Sequence, residues 1–179
     1  MKASVKIAVI STLSLVICAI FIIAELFLSG PEKIAVKSAK SALLASVDNP
    51  ESVSILAISK ADSVYGRDYV TDEEKADLTM AMMKVNDLVM QKTDNLQNFD
   101  PESTEIGELM SRQMTAMSVM RNLLHSGIIQ NKDRRFTGWK IKVDFEAVSE
   151  YGNKYHSEYW FILDKSGSHV IRSFEIPII

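Results

Sequence analysis

Cysteine is almost missing from this chain. Its one example, Cys18, lies inside an apolar run, so the remainder carries no disulfide, no thiolate nucleophile and no cysteine metal ligand. Histidine is scarce too. His125, His156 and His169 show no HxxxH, HExxH or Cys–His spacing, and no zinc site is expected. The seven glycines include no phosphate loop and no dinucleotide fingerprint. No Gly-x-Ser-x-Gly elbow marks a nucleophilic serine. Charge of one sign is also lacking, since the net charge is -3. Setting aside Lys2, Lys6 and Glu25 leaves 18 basic and 22 acidic residues, a mildly acidic balance with no global field toward phosphate backbones. These absences lead us to expect no catalytic residue, no cofactor, no metal and no nucleic-acid partner. Internal repeats and low-complexity segments are absent as well.

What the chain does have is a long apolar run near its start. From Ile7 to Ala24 there is no charged residue, and Leu26-Phe27-Leu28 follow Glu25. As a helix the 18-residue run spans about 27 Å, and the added Leu-Phe-Leu brings it to a full hydrocarbon crossing. Lys2 and Lys6 precede it, as in a signal sequence or signal anchor. Ile17 before Cys18 does not suit a lipoprotein. Cleavage after Ala24 is conceivable, but the run exceeds the roughly 7–15 residues of a removable signal core, which favours retention. Lysines flank both ends, with Lys33, Lys37 and Lys40 beyond the run, so positive charge does not select an orientation. The usual entry of a short tail and apolar helix favours an inside N-terminus and an extracytoplasmic domain. Glu25 is expected at the outer interface, where its carboxylate reaches water.

The organisation that follows is a cytoplasmic tail at 1–6, a transmembrane signal-anchor helix at 7–28, a juxtamembrane helix at 29–50 and a soluble α+β domain at 51–179. Glu32 to Val47 reads as helical, either continuing the anchor as a stalk or folding back onto the domain, and Asn49-Pro50 ends it. Ser52 to Tyr65 reads as a strand with both faces coverable. Thr71-Asp-Glu-Glu74 is a capping box opening a helix to about Lys92, with Leu78, Met82, Val85 and Val89 on its apolar stripe. Asp100-Pro101-Glu102 opens a second helix, ending near Gly127, on which Ile106, Met110, Met114, Met117, Met120 and Leu124 repeat at helical spacing. Trp139, Ile141, Val143, Phe145 and Ala147 then alternate with Lys140, Lys142, Asp144 and Glu146, a strand with one packed and one wet face. A turn at Tyr151–Lys154 leads to a central strand at Tyr155–Leu163, and a turn at Asp164–Gly167 to a last strand at His169–Ile176.

The expected fold class is therefore α+β, with a helical pair packed on a three- to four-stranded antiparallel sheet and helices on one face. This order, over about residues 50–179, is similar to cystatin-like and NTF2-like folds, in which a helix lies across an antiparallel sheet. The resemblance is one of topology and implies no functional residues; the second long helix departs from the simplest cystatin plan.

Four groupings carry chemistry and a plainer reading beside it. Eight methionines, Met80, Met82, Met83, Met90, Met110, Met114, Met117 and Met120, fall in the helical pair. Thioethers can bind copper(I) or line an adaptable partner groove, but their helical spacing assigns them to the core. Glu146, Glu150, Glu158 and Glu175 could form an acid/base pair but read as a solvated sheet face. Lys132, Arg134, Arg135, Lys140 and Lys142 could touch anionic headgroups but read as a loop and a lysine-protected sheet edge. His156 and His169, on neighbouring strands closed near Asp164, fall about 20 Å apart along the ladder and cannot share a metal.

The function expected from this pattern is a membrane-anchored, non-enzymatic interaction or accessory domain, a part of an envelope complex, with an unidentified protein partner or a second copy of itself. The rivals are a small pocket-containing hydrolase or isomerase and a ligand-binding sensor, both resting on the topology alone.

Overall fold

The computed structural model describes residues 30–66, 69–94, 97, 100, 102–126 and 135–178, with side chains in the last helix described as far as residue 122. Three helices pack on an antiparallel sheet. In chain order they are α1 (Pro31–Ser46), a 3-10 turn (Pro50–Ser52), β1 (Ser54–Ile58), β2 (Asp62–Tyr65), α2 (Asp72–Lys92), α3 (Thr104–Ser126), β3 (Phe136–Val148), β4 (Lys154–Leu163) and β5 (Val170–Pro177). Among the described residues no helix is long and apolar enough to cross a membrane. The anchor expected at 7–28 lies outside them.

β3 organises the sheet. It is 13 residues long, pairing with β4 on one side and with β1 and β2 in succession on the other; β5 completes the order beyond β4. All pairings are antiparallel. The segment read as one strand over 52–65 is thus two short strands sharing an edge, and β1 is largely exposed instead of covered on both faces. Hydroxyl groups bridge the interruption and its ends. The Lys142 amide donates to Ser59 Oγ at 2.9 Å, the Val148 amide to Ser52 Oγ at 2.9 Å, and Thr137 Oγ1 to the carbonyl of Gly66 at 2.9 Å. These bonds satisfy polar groups that the broken ladder leaves over.

Alternation along β3 and β4 sends side chains to two faces, and helices cover both. Ile141, Val143, Phe145 and Ala147 of β3 pack with Phe161 and Leu163 of β4 against Ala35, Ala39 and Leu43 of α1. Residues 31–46 therefore fold back onto the sheet, the second of the two courses open to them. On the other face Trp160, Phe174 and Ile176 pack with Leu78, Met82 and Val85 of α2 and with Ala116 and Met120 of α3. This layering differs from the one-faced arrangement expected from the sequence and from the cystatin-like plan. Its cause is β4, where Trp160, Phe161, Ile162 and Leu163 are all buried and require apolar cover on both sides.

Two glycines matter to this assembly. Gly167, at φ +73°, lies in the β4–β5 turn, where an added Cβ would sit 2.4 Å from the Pro31 carbonyl oxygen and 2.8 Å from the Ala35 nitrogen. The start of α1 thus rests on this turn. Gly138 in β3 leaves room for the Leu163 carbonyl, which would stand 1.8 Å from a Cβ.

The capping box opens α2 as the sequence predicts. Glu74 N donates to Thr71 Oγ1 at 3.2 Å, and Thr71 N donates to Glu74 Oε2 at 2.9 Å. α2 ends at Lys92 and buries Leu78, Met82, Val85 and Val89, the predicted stripe. α3 begins at Thr104, after a turn in which the Glu102 amide donates to Asp100 Oδ1 at 2.9 Å. Its apolar stripe is the predicted one only in part, at half-buried Ile106 and Met110 and at buried Met120. Gln113, Ala116 and Met120 are buried, whereas Met114 and Met117 face solvent. Leu124 and His125 fall beyond the last described side chain, and Gly127 lies outside the described residues.

Candidate functional site

Two features of the helix pair merit description as sites: a cleft at its junction with β4 and the outer surface of the pair itself. The cleft has a volume of about 170 Å³. The end of α2 contributes Leu88 and Lys92, the start of α3 contributes Glu105, Leu109 and Arg112, and the start of β4 contributes Tyr155 and His156.

Arg112 organises the cleft. Its Nη1 donates to Glu175 Oε1 at 2.6 Å, and its guanidinium carbon lies 3.4 Å from the centre of the Tyr155 ring. Burial works against its charge, but Glu175 and the Tyr155 oxygen outweigh it and hold the guanidinium above its usual range. Burial also pushes the Tyr155 hydroxyl up, opposed by Arg112. Lys92 pairs with Glu105, and Asn153 Nδ2 donates to Glu108 Oε2 at 3.2 Å. His156 Nε2 lies 2.6 Å from Asp144 Oδ1. Ser157 also lines the cleft. It is fully buried, and among the described residues its Oγ has no hydrogen-bond partner.

The four glutamates considered for acid/base work are dispersed. Glu146 is opposite His156, Glu158 accepts from Trp160 Nε1 at 2.6 Å, Glu175 holds Arg112, and Glu150 is exposed in the β3–β4 turn region. Glu158 and Glu175 point to opposite faces, because Glu158 pairs with Ile176 and Glu175 with Tyr159. His156 and His169 lie at opposite ends of the β4–β5 ladder, as their spacing predicts. His169 Nδ1 is 2.8 Å from Ser168 Oγ in the turn. Among the described residues no group of three or more His, Cys, Asp and Glu is placed to hold a metal.

The lysines of β3 are not an edge guard. Lys140 Nζ donates to both carboxylate oxygens of Glu74, at 2.6 and 2.7 Å, and Lys142 Nζ lies 2.7 Å from Glu74 Oε1 and 4.0 Å from the centre of the Trp160 ring. The face expected to meet water is here covered by the first turn of α2. Lysine stems lie along apolar surface, and one carboxylate with one indole face meets their charge. Burial resists ionisation of Glu74, but the two lysines and the Thr71 amide outweigh it and hold its carboxyl down at about 2. Lys132 and Arg134 lie outside the described residues.

The outer surface of the pair is rich in sulfur. Met80, Met83, Met114 and Met117 are 55%, 62%, 69% and 55% exposed, which removes them from the core to which their spacing assigned them. The helices run antiparallel, in a register set by Gln113 Nε2 donating to Asn86 Oδ1 at 3.4 Å and by the Lys92–Glu105 pair. Met80 borders a shallow depression with Asp77, Ala81, Lys84, Pro177 and Ile178.

Arg112, Ser157 and the Glu74 triad were not found by sequence reasoning. The only signal for the triad was the capping-box glutamate itself; neither Arg112 nor Ser157 belongs to a motif. No protein-family profile, no curated protein and no solved structure matches this chain.

Proposed function

We propose that this chain is a membrane-tethered, non-enzymatic interaction domain, held outside the cytoplasm by its N-terminal apolar segment. The observation that carries the reading is the exposure of Met80, Met83, Met114 and Met117 on the outer surface of the helix pair. Flexible thioethers conform to varied apolar partners, and a shallow seam between two antiparallel helices suits an amphipathic helix laid into it. The uncharged run from Ile7 to Ala24 supports the tether, which would hold the domain at high local concentration beside membrane partners. The partner is accordingly an amphipathic helical segment of a neighbouring membrane protein.

The test is site-specific photocrosslinking in intact cells, with the probe at Met83, Met114 or Met117 and at exposed Lys165 as a control. A discrete adduct from the three methionine positions, absent at Lys165, is expected. Absence of any adduct at all three, with the chain present in the membrane fraction, would dispose of the reading. Recovery of the chain in the aqueous fraction would dispose of the tether.

One observation favours a ligand-binding sensor instead. The Ser157 hydroxyl, which has no hydrogen-bond partner among the described residues, lines the same cleft as Arg112 and Tyr155. A melting-temperature screen of small carboxylates and amines tests it. A hit lost in Ser157→Ala supports the sensor; a hit that survives the substitution, or no hit, leaves the cleft a structural feature.

A further inference from the structure

We propose that Met80, Met83, Met114 and Met117 form a reversible modification site, at which peroxide oxidants convert the thioethers to sulfoxides and release the helical partner. The proposal rests on the interaction reading above and names the regulation of that same surface. Oxidation switches binding off and leaves the fold intact.

Three observations carry it. The methionines of the helix pair are graded in exposure. Met80, Met83, Met114 and Met117 are 55%, 62%, 69% and 55% exposed, Met90 and Met110 are half-buried, and Met82 and Met120 are only 7% and 8% exposed. A dissolved oxidant reaches each of the first four directly and independently of the others. Second, a thiolate ordinarily consumes oxidant ahead of a thioether, and the chain holds no cysteine beyond Cys18. Third, the four take no part in the buried cluster that seats the helices, where Leu78, Met82, Val85, Ala116 and Met120 meet the sheet. An added oxygen on the exposed sulfurs therefore leaves that packing unaltered.

The reaction is a two-electron oxygen transfer. A sulfur lone pair attacks one oxygen of hydrogen peroxide, the O–O bond breaks, and the departing hydroxide takes the proton from the new S–O–H. One sulfoxide and one water result, with sulfur oxidised and peroxide reduced. A thiol-dependent reductase reverses the change: two thiols become a disulfide, and the sulfoxide oxygen leaves as water. The sulfoxide replaces a flexible apolar tip with a polar one, so a partner helix no longer gains by burying it. A thioether carries no proton to lose, so its oxidation does not speed up with rising pH as that of a cysteine does.

The experiment exposes opened membranes carrying the full chain to hydrogen peroxide, with a photocrosslinking probe at exposed Ser118. Peptide mass spectrometry follows each methionine, and the Ser118 adduct reports the partner. Met80, Met83, Met114 and Met117 should gain one oxygen at least about tenfold faster than Met82 and Met120, with Met90 and Met110 between. The adduct should vanish on oxidation and return after treatment with both methionine sulfoxide reductases. Purified chain oxidised at the four positions should keep its helix content and melting temperature. Met80→Leu/Met83→Leu/Met114→Leu/Met117→Leu should keep its adduct in peroxide, because leucine conserves volume and offers no sulfur. Oxidation of exposed and buried methionines at one rate, an adduct that survives full oxidation of the four, or loss of the adduct from the leucine variant in peroxide would each overturn the proposal. Absence of the adduct before any oxidant is added would sink the interaction reading, and the proposal with it.

Discussion

Glu74 meets three demands with one carboxylate. It closes the capping box with Thr71, neutralises the buried Lys140 and binds Lys142. Its pKa of about 2 lies below the ordinary value of 4.5, so the unfolded chain takes up a proton at higher pH than the folded one. The stability this supplies is complete above about pH 4.5 and is lost as pH falls toward 2. Allowing for the partial exposure of the cluster, the loss is about 2 kcal/mol. Glu74→Gln should lower stability by about 3 kcal/mol at neutral pH, because it leaves Lys140 buried without a counter-charge. It should also flatten the urea-midpoint profile between pH 4.5 and 2; an unchanged profile would show that other carboxylates set the acid limit. Arg112 is comparable. Arg112→Ala strands half-buried Glu175 and should cost about 2 kcal/mol by urea denaturation.

At the scale of the element, two of the left-handed glycines, Gly152 and Gly167, provide a controlled comparison. Gly152, at φ +86°, has nothing within 4 Å of where a Cβ would lie, so Gly152→Ala should cost only the backbone strain, about 1 kcal/mol. Gly167→Ala adds a collision with the first turn of α1 and should cost about 3 kcal/mol. Amide hydrogen exchange should then quicken in α1 more than in β4. In α3, Met114→Leu and Met117→Leu should change stability by less than about 0.5 kcal/mol, whereas Met120→Ala should cost about 3 kcal/mol. Comparable losses at all three would return Met114 and Met117 to the core.

The same elements show why sequence reading succeeded in places and failed in others. The α2 start and stripe were legible because the cap at Thr71 and the apolar periodicity agree. β3 was legible because strict alternation has no helical counterpart. α3 misled because hydrophobicity alone ranks methionine above alanine and glutamine. Its buried side instead holds Ala116, where a small residue permits close packing, and Gln113, whose amide finds Asn86. The break at residues 59–61 was invisible because Ser59 heals it only through the distant Lys142 amide. The cleft is likewise assembled from residues far apart in the chain, Arg112, Tyr155 and Glu175, and no local spacing announces it.

Across the whole molecule, the layers depend on long-range closure. Ser54 pairs with Glu146, and the start of α1 rests on Gly167. Such separations slow folding, because loop-closure entropy is spent before the contacts that offset it can form. During synthesis α1, β1 and β2 emerge long before β3, so their apolar faces wait uncovered and exposed to holdase chaperones. A chain shortened at its C-terminus by as little as β5 would leave Trp160 without Phe174 and the turn at Gly167 without its second strand. The first residues of the folded unit to be made thus become the last to be secured, since their cover is completed only when β3 and the turn at Gly167 have left the ribosome.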